Sequence, residues 1–145
     1  MTTSELTTIE RVAALRRVTI FGDVPGRSLV AVAQVLEEHR LADGEPVIER
    51  GAVEDWMFVV AEGLVRVHRE GRELAIVEAG GVFGELAVLA PAPRAASVEA
   101  IGPALLLQLR RAPFTDLLDD HPEIARAVIQ TLARLLQASA DGESA

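Results

Sequence analysis

Apolar residues recur at two different intervals along this chain, and the changes of interval divide it into three parts. Near the N-terminus Ile9, Val12, Ala13 and Leu15 share one helical face as far as Arg16 or Arg17. Thr7 and Glu10, three apart, make a capping box ahead of that face. Phe21 to Gly26 reads as a turn. Ser28 is expected to cap a second helix, whose apolar face is Leu29, Val32, Val35 and Leu36 and whose half-exposed end is His39.

From Leu41 the pattern shortens to strands, with a glycine about every ten residues. Val47–Glu49 is one strand. Gly51–Asp55 turns into the continuous apolar run Trp56–Ala61. Gly63 turns again into Leu64–His68, which alternates, and Glu70-Gly71 makes a hairpin into Glu73–Val77. Gly80-Gly81 leads to Val82 and Phe83. Further on, Ala96–Ala100 and Leu105–Leu109 read as two strands parted by Gly102-Pro103. Strands at this spacing predict a mainly β protein, an antiparallel roll or jelly roll flanked by helices.

Helical spacing returns in the tail. Phe114, Leu117 and Leu118 form a short helix, and Pro122 occupies the first position of another. Its apolar stripe is Ile124, Val128, Ile129, Leu132, Leu135 and Leu136, opposite Glu123, Arg126, Gln130, Arg134 and Gln137. Asp141 to Ala145 is expected to fray. The 145 residues thus suggest a single domain: helices over about 8–38, a roll over about 41–110, and C-terminal helices over about 112–138.

Composition narrows the chemistry. Half the residues are apolar, as in a globular protein. There is no cysteine, hence neither a disulfide framework nor a thiolate metal site. All 14 basic residues are arginine, and the net charge is −8, which argues against nucleic acid or an anionic membrane as a partner. The polar N-terminus has no apolar signal core, and no apolar run is long enough to span a bilayer, so a cytoplasmic location is expected. His39, His68 and His121 form no His-x-His pair, so no metal site is expected. Ser97 has no recognisable base partner, and an enzyme is not expected.

The most informative stretch is Phe83 to Val98. Gly84 permits a positive φ or a close backbone approach. Glu85 to Leu89 suits a single helical turn, whose first amides have no partner inside it and suit an anion. Pro91 and Pro93 close the loop rigidly. Arg94 sits among Ala92, Ala95 and Ala96, which offer no counter-ion and leave room for something bulky; arginine is a natural bidentate partner for phosphate.

This stretch resembles the phosphate-binding cassette of the cyclic nucleotide-binding domain family, which includes the bacterial catabolite activator and the regulatory subunit of cyclic-AMP-dependent protein kinase. The shared pattern is Phe-Gly-Glu-(Leu/Met)-Ala-Leu…(Pro)-Arg-(Ala/Ser/Thr)-Ala-(Ser/Thr)-Val, and Glu85 and Arg94 keep its eight-residue separation. The resemblance implies that Glu85 takes the ribose 2′-hydroxyl and Arg94 the cyclic phosphate. Phe83, Gly84, Leu86, Ala87, Ala95, Ala96 and Ser97 would stand around them. It covers about Ile9 to Leu136 and implies N-terminal helices, a β-roll with the cassette inserted, then hinge and lid helices.

By the same resemblance the ligand is cyclic AMP, with cyclic GMP the weaker candidate. In the family a Thr directly after the arginine can bond the guanine amino group, and Ala95 holds that place here. The lid would offer Leu132, Arg134, Leu135 and Leu136 to the base, and Leu86 with Phe114 would form the hinge. The chain departs from the family before Trp56: relatives read Gly-(Asp/Glu)-x-Gly-Asp, whereas here Glu54 stands at the second glycine. A positive φ there would cost about 1 kcal/mol. Only nine residues follow Leu136, so the reading is of a regulatory sensor whose effector is fused or separate. A homodimer is compatible with it. The alternative is a degenerate fold that serves as an interaction scaffold without ligand.

Overall fold

The structure is a computed structural model that describes residues 6–144. Helix α1 (Thr8–Leu15) begins with the expected capping box: the Thr7 hydroxyl accepts from the Glu10 amide, and the Glu10 carboxylate accepts from the Thr7 amide. A 3₁₀ turn at Thr19–Phe21 leads to α2 (Gly26–Gln34). Ser28 does not cap α2. The cap is Pro25, whose carbonyl accepts from the Ser28 and Leu29 amides. Proline already holds the φ that a helix start needs, so the helix begins two residues before Ser28. The buried Ser28 hydroxyl instead meets Glu123, 3.3 Å away.

The roll comprises β1 (Glu37–Leu41), β2 (Pro46–Ile48), β3 (Val53–Glu54), β4 (Trp56–Arg69), β5 (Arg72–Val77), β6 (Val82–Phe83), β7 (Ala92–Pro93) and β8 (Ser97–Arg110). The larger sheet runs β1-β8-β4-β5, with β2 also on β8 and β6 on β4; β3 and β7 pair separately, and every pairing is antiparallel. His39 is therefore a strand residue and not a helix end. Its partner across the ladder is Leu106, its ring lies edge-on to Phe58, and its Nε2 bonds Gln108. Strand pairing overrides the local helical pattern there.

Two turns expected from glycines are absent. Gly63 and Gly102 sit inside single long strands, β4 and β8, whose register shifts past Val60 and Glu62. Both glycines have positive φ, and a side chain at Gly63 would meet the Pro103 carbonyl. They serve as bulges that bend paired strands, not as ends.

Both faces are buried along Met57–Val60 of β4 and Ala104–Leu109 of β8. Met57, Val59, Leu107 and Leu109 pack toward a cluster shared with α1 and α2; Phe58, Val60, Val98, Ala100 and Leu106 face the inside of the roll. That two-sided burial is why Trp56–Ala61 reads as unbroken apolar sequence.

Helix α3 (Arg111–Asp120) buries Phe114 edge-on against Phe21, with ring centroids 5.6 Å apart. Helix α4 (Pro122–Ser144) begins at Pro122 as expected and stays helical past Asp141; Ala145 lies outside the described residues. Only part of its stripe is covered. Ile124, Ala127, Val128 and Thr131 are buried and Leu132 is half-buried, whereas Ile129, Leu135 and Leu136 are exposed. No helix among the described residues is long and apolar enough to cross a membrane.

Candidate functional site

The cassette turn is a single 3₁₀ turn, Glu85–Val88, entered through Gly84 at φ 75°. Val88 and the half-buried Leu89 belong to the helical cluster that holds Phe114. The opposite side of the turn borders a cavity of about 520 Å³. Its walls include Phe83, Gly84, Glu85, Leu86, Ala87, Arg94, Ala95 and Ala96, the residues that the cassette brings. Ile48, Val67 and Val98 add an aliphatic floor from β2, β4 and β8, and Ala92 and Pro93 add the rim. Ser97 is not on the wall; its hydroxyl accepts from the Arg50 amide at 2.9 Å.

Arg94 is 8% exposed. Its guanidinium lies over the Trp56 ring, 4.5 Å from the centroid, and Nη2 donates to the Trp56 carbonyl. Nε lies 3.4 Å from Glu54 Oε1. The expectation that Arg94 has no internal counter-ion is therefore corrected: its sequence neighbours are alanines, but β3 brings Glu54 across from β7. Val53 pairs with Pro93 and Glu54 with Ala92, and the Arg94 amide and carbonyl bond Ala52 and Gly51. Glu54 takes ordinary strand geometry, so the φ strain considered for it does not arise; among the described non-glycine residues only Glu70 has positive φ.

Glu85 faces the same cavity. Its Oε2 is buried and finds no hydrogen-bond partner among the described residues. A buried acceptor left unmade costs about 1–3 kcal/mol, so a carboxylate in this state is poised for a donor. The cavity thus combines an enclosed guanidinium, a carboxylate with a spare oxygen and an apolar wall. Together these can hold an anionic group and a nearby hydroxyl on one small molecule, and a volume within roughly 300–1,000 Å³ suits one.

The remaining expected site residues lie elsewhere. Among the described residues none from α4 lines the cavity. Leu132 packs on the helical cluster, Leu135 and Leu136 are exposed, and Arg134 pairs with Asp23 at 2.9 Å. Leu86 is 60% exposed at the cavity and is not part of the cluster around Phe114. Sequence reasoning does not reveal Trp56 as the arginine's platform or Glu54 as its counter-ion. The one signal is a carboxylate at a position where glycine is expected.

Comparison with known proteins defines the class. Residues 38–121 match the family model described as the cyclic nucleotide-binding domain, and the chain belongs to that family. It is 35% identical over 109 residues to a cAMP-dependent protein kinase regulatory subunit of Yarrowia lipolytica, over 75% of this chain. It is 41% identical over 86 residues to a cGMP-dependent protein kinase of Caenorhabditis briggsae, over 59% of this chain. The chain spans 29% and 12% of those two proteins' lengths. The N-terminal domain of a transcriptional regulator from Streptomyces coelicolor superposes with a TM-score of 0.83 at 32% identity, covering 90% of this chain and 94% of that one. The antiparallel roll with flanking helices is the fold of this family.

Proposed function

We propose that this domain is a non-enzymatic sensor that binds a cyclic purine nucleotide, cyclic AMP more tightly than cyclic GMP. The observation that carries the reading is the pair Arg94 and Glu85: one buried cation and one unpaired carboxylate oxygen on a single small cavity. In this reading the guanidinium takes the cyclic phosphate, Glu85 Oε2 accepts from the ribose 2′-hydroxyl, and the aliphatic floor carries the sugar. Ala95 offers the purine only a methyl group. A missing hydrogen bond is worth about 1 kcal/mol, so the preference for cyclic AMP is under about tenfold. The base would be covered by α4, from Leu132, Arg134, Leu135 and Leu136, with Leu86 and Phe114 relaying the movement. The kinase relatives, one of each nucleotide type, support the ligand class and leave the choice to Ala95. The effector is a fused or separate protein, and the sensor works in the cytoplasm.

Calorimetric titration with both nucleotides tests this, backed by thermal melts. A ligand at 100 times its dissociation constant adds about 2.7 kcal/mol of stability. Tighter binding of cyclic GMP would reverse the assigned preference. Absence of heat and of any melting shift at millimolar nucleotide would make the domain an interaction scaffold instead.

A further inference from the structure

Among the described residues that line the cavity Arg94 is the one cation, and the fold has already given it an anion. The Arg94 side chain is 7% exposed and that of Glu54 is 19% exposed, so this pair is not a solvated surface contact. It is also built in by backbone: the β3–β7 ladder and the two hydrogen bonds between Arg94 and residues 51 and 52 fix both partners. Asp55, the neighbouring carboxylate, is exposed. Glu85 is on the cavity wall and Glu54 stands behind it, outside the lining residues, so two carboxylates face one guanidinium.

Resting on the reading that this cavity takes a nucleotide phosphate, we propose that Glu54 selects ligands by charge. It neutralises Arg94, so that a cyclic phosphodiester with one negative charge is accepted while phosphomonoester dianions such as 5′-AMP and inorganic phosphate are rejected. The physical reason is that repulsion by Glu54 scales with ligand charge. For a phosphate held on the far side of the guanidinium, taken as about 6 Å from the Glu54 charge, an effective dielectric between about 20 and 80 has one carboxylate weaken a monoanion by roughly tenfold and a dianion by roughly the square of that. Selectivity between the two classes then gains about tenfold from Glu54 alone. A carboxylate that only held Arg94 in place would change the affinity for every anion by the same factor.

Glu54→Gln tests this, because glutamine keeps an acceptor for Arg94 Nε and removes the charge. The full chain is titrated with cyclic AMP, 5′-AMP and inorganic phosphate at about pH 8, where the monoesters are dianions. Fluorescence of Trp56, the single tryptophan, reports on the guanidinium above it. The variant should gain about tenfold for cyclic AMP and about a hundredfold for 5′-AMP. Glu54→Ala should show the same change of ratio, and Glu54→Asp, which keeps the charge, the wild-type ratio. An unchanged ratio in both neutral variants would overturn the proposal while leaving the ligand reading intact. Should the wild type ignore cyclic AMP while Glu54→Gln binds inorganic phosphate through Arg94, charge selection would stand and the ligand reading would fall. If neither protein binds any of the three anions, both are wrong.

Discussion

Arg94 Nη1 stands where a side chain at position 84 would begin: a Cβ built on Gly84 collides with it. The glycine is thus required twice, for φ 75° at the entry to the cassette turn and for the space the guanidinium fills. Gly84→Ala should lose about 1–2 kcal/mol of stability from the left-handed backbone alone. It should also push Arg94 off Trp56, changing tryptophan emission without ligand, and weaken nucleotide binding by more than about tenfold, equivalent to about 1.4 kcal/mol. Urea denaturation and a binding titration separate the two effects. A variant that unfolds earlier yet binds normally would show that the arginine has another resting place.

Arg94→Ala should cost about 2–5 kcal/mol of binding, and lysine should restore only part, since it lacks the planar fork. The alanine variant should also lose stability, because Glu54 keeps a half-buried charge without its partner. Pairing Arg94→Ala with Glu54→Gln should recover that stability but not the binding. Equal melting temperatures for the single and double variants would mean that the ion pair contributes nothing to folding.

Glu85→Gln should weaken cyclic AMP less than Arg94→Ala does, because an amide oxygen still accepts from a hydroxyl. Removing the hydroxyl from the ligand provides the control. 2′-Deoxy cyclic AMP should lose more affinity against the wild type than against Glu85→Gln, a non-additivity that ties this hydroxyl to this carboxylate. Equal losses would place the ribose elsewhere in the cavity.

Asp23 latches α4 to the turn before α2. Its Oδ2 accepts from the Thr131 hydroxyl at 2.7 Å and from Arg134 Nη1 at 2.9 Å. The Thr131 hydrogen bond foremost, and then Arg134, holds its carboxyl below the ordinary carboxylate value. Such a group stabilises the native state above its unfolded pKa of 3.8, and that contribution disappears as the pH falls through its lower folded value. Asp23→Asn should flatten this part of the acid denaturation curve, below about pH 4. It should also speed amide exchange in residues 126–136. Saturating nucleotide should slow exchange in the same residues of the wild type if α4 is the lid; unchanged exchange there would reduce α4 to a core helix.

Much of the site is legible in the amino-acid sequence. The interval between Glu85 and Arg94, the glycine before the first and the small residues after the second are local features, and a short loop keeps local features together. Glu54 and Trp56 are not legible in this way: they lie 40 and 38 positions from Arg94 and reach it only through strand pairing. Ser28 resembles a helix cap because serine and proline both start helices, and Pro25 comes first.

The sequence by itself determined the division into N-terminal helices, a strand-rich middle and C-terminal helices, the capping box at Thr7, the start of α4 at Pro122 and the turn at the cassette, because each depends on backbone preferences within a few residues. Tertiary structure alone decided that Gly63 and Gly102 bend long strands without ending them, since a bulge is defined by the partner strand it must match. It also decided that Ile129, Leu135 and Leu136 stay exposed: a helical stripe is set by sequence period, but burial needs an opposing surface, and the roll and helices cover α4 only on the side of Ile124, Val128 and Thr131. The charge state of the site belongs to the same category. Whether Arg94 stands alone or already paired depends on Glu54, placed beside it by the two-residue ladder of β3 and β7.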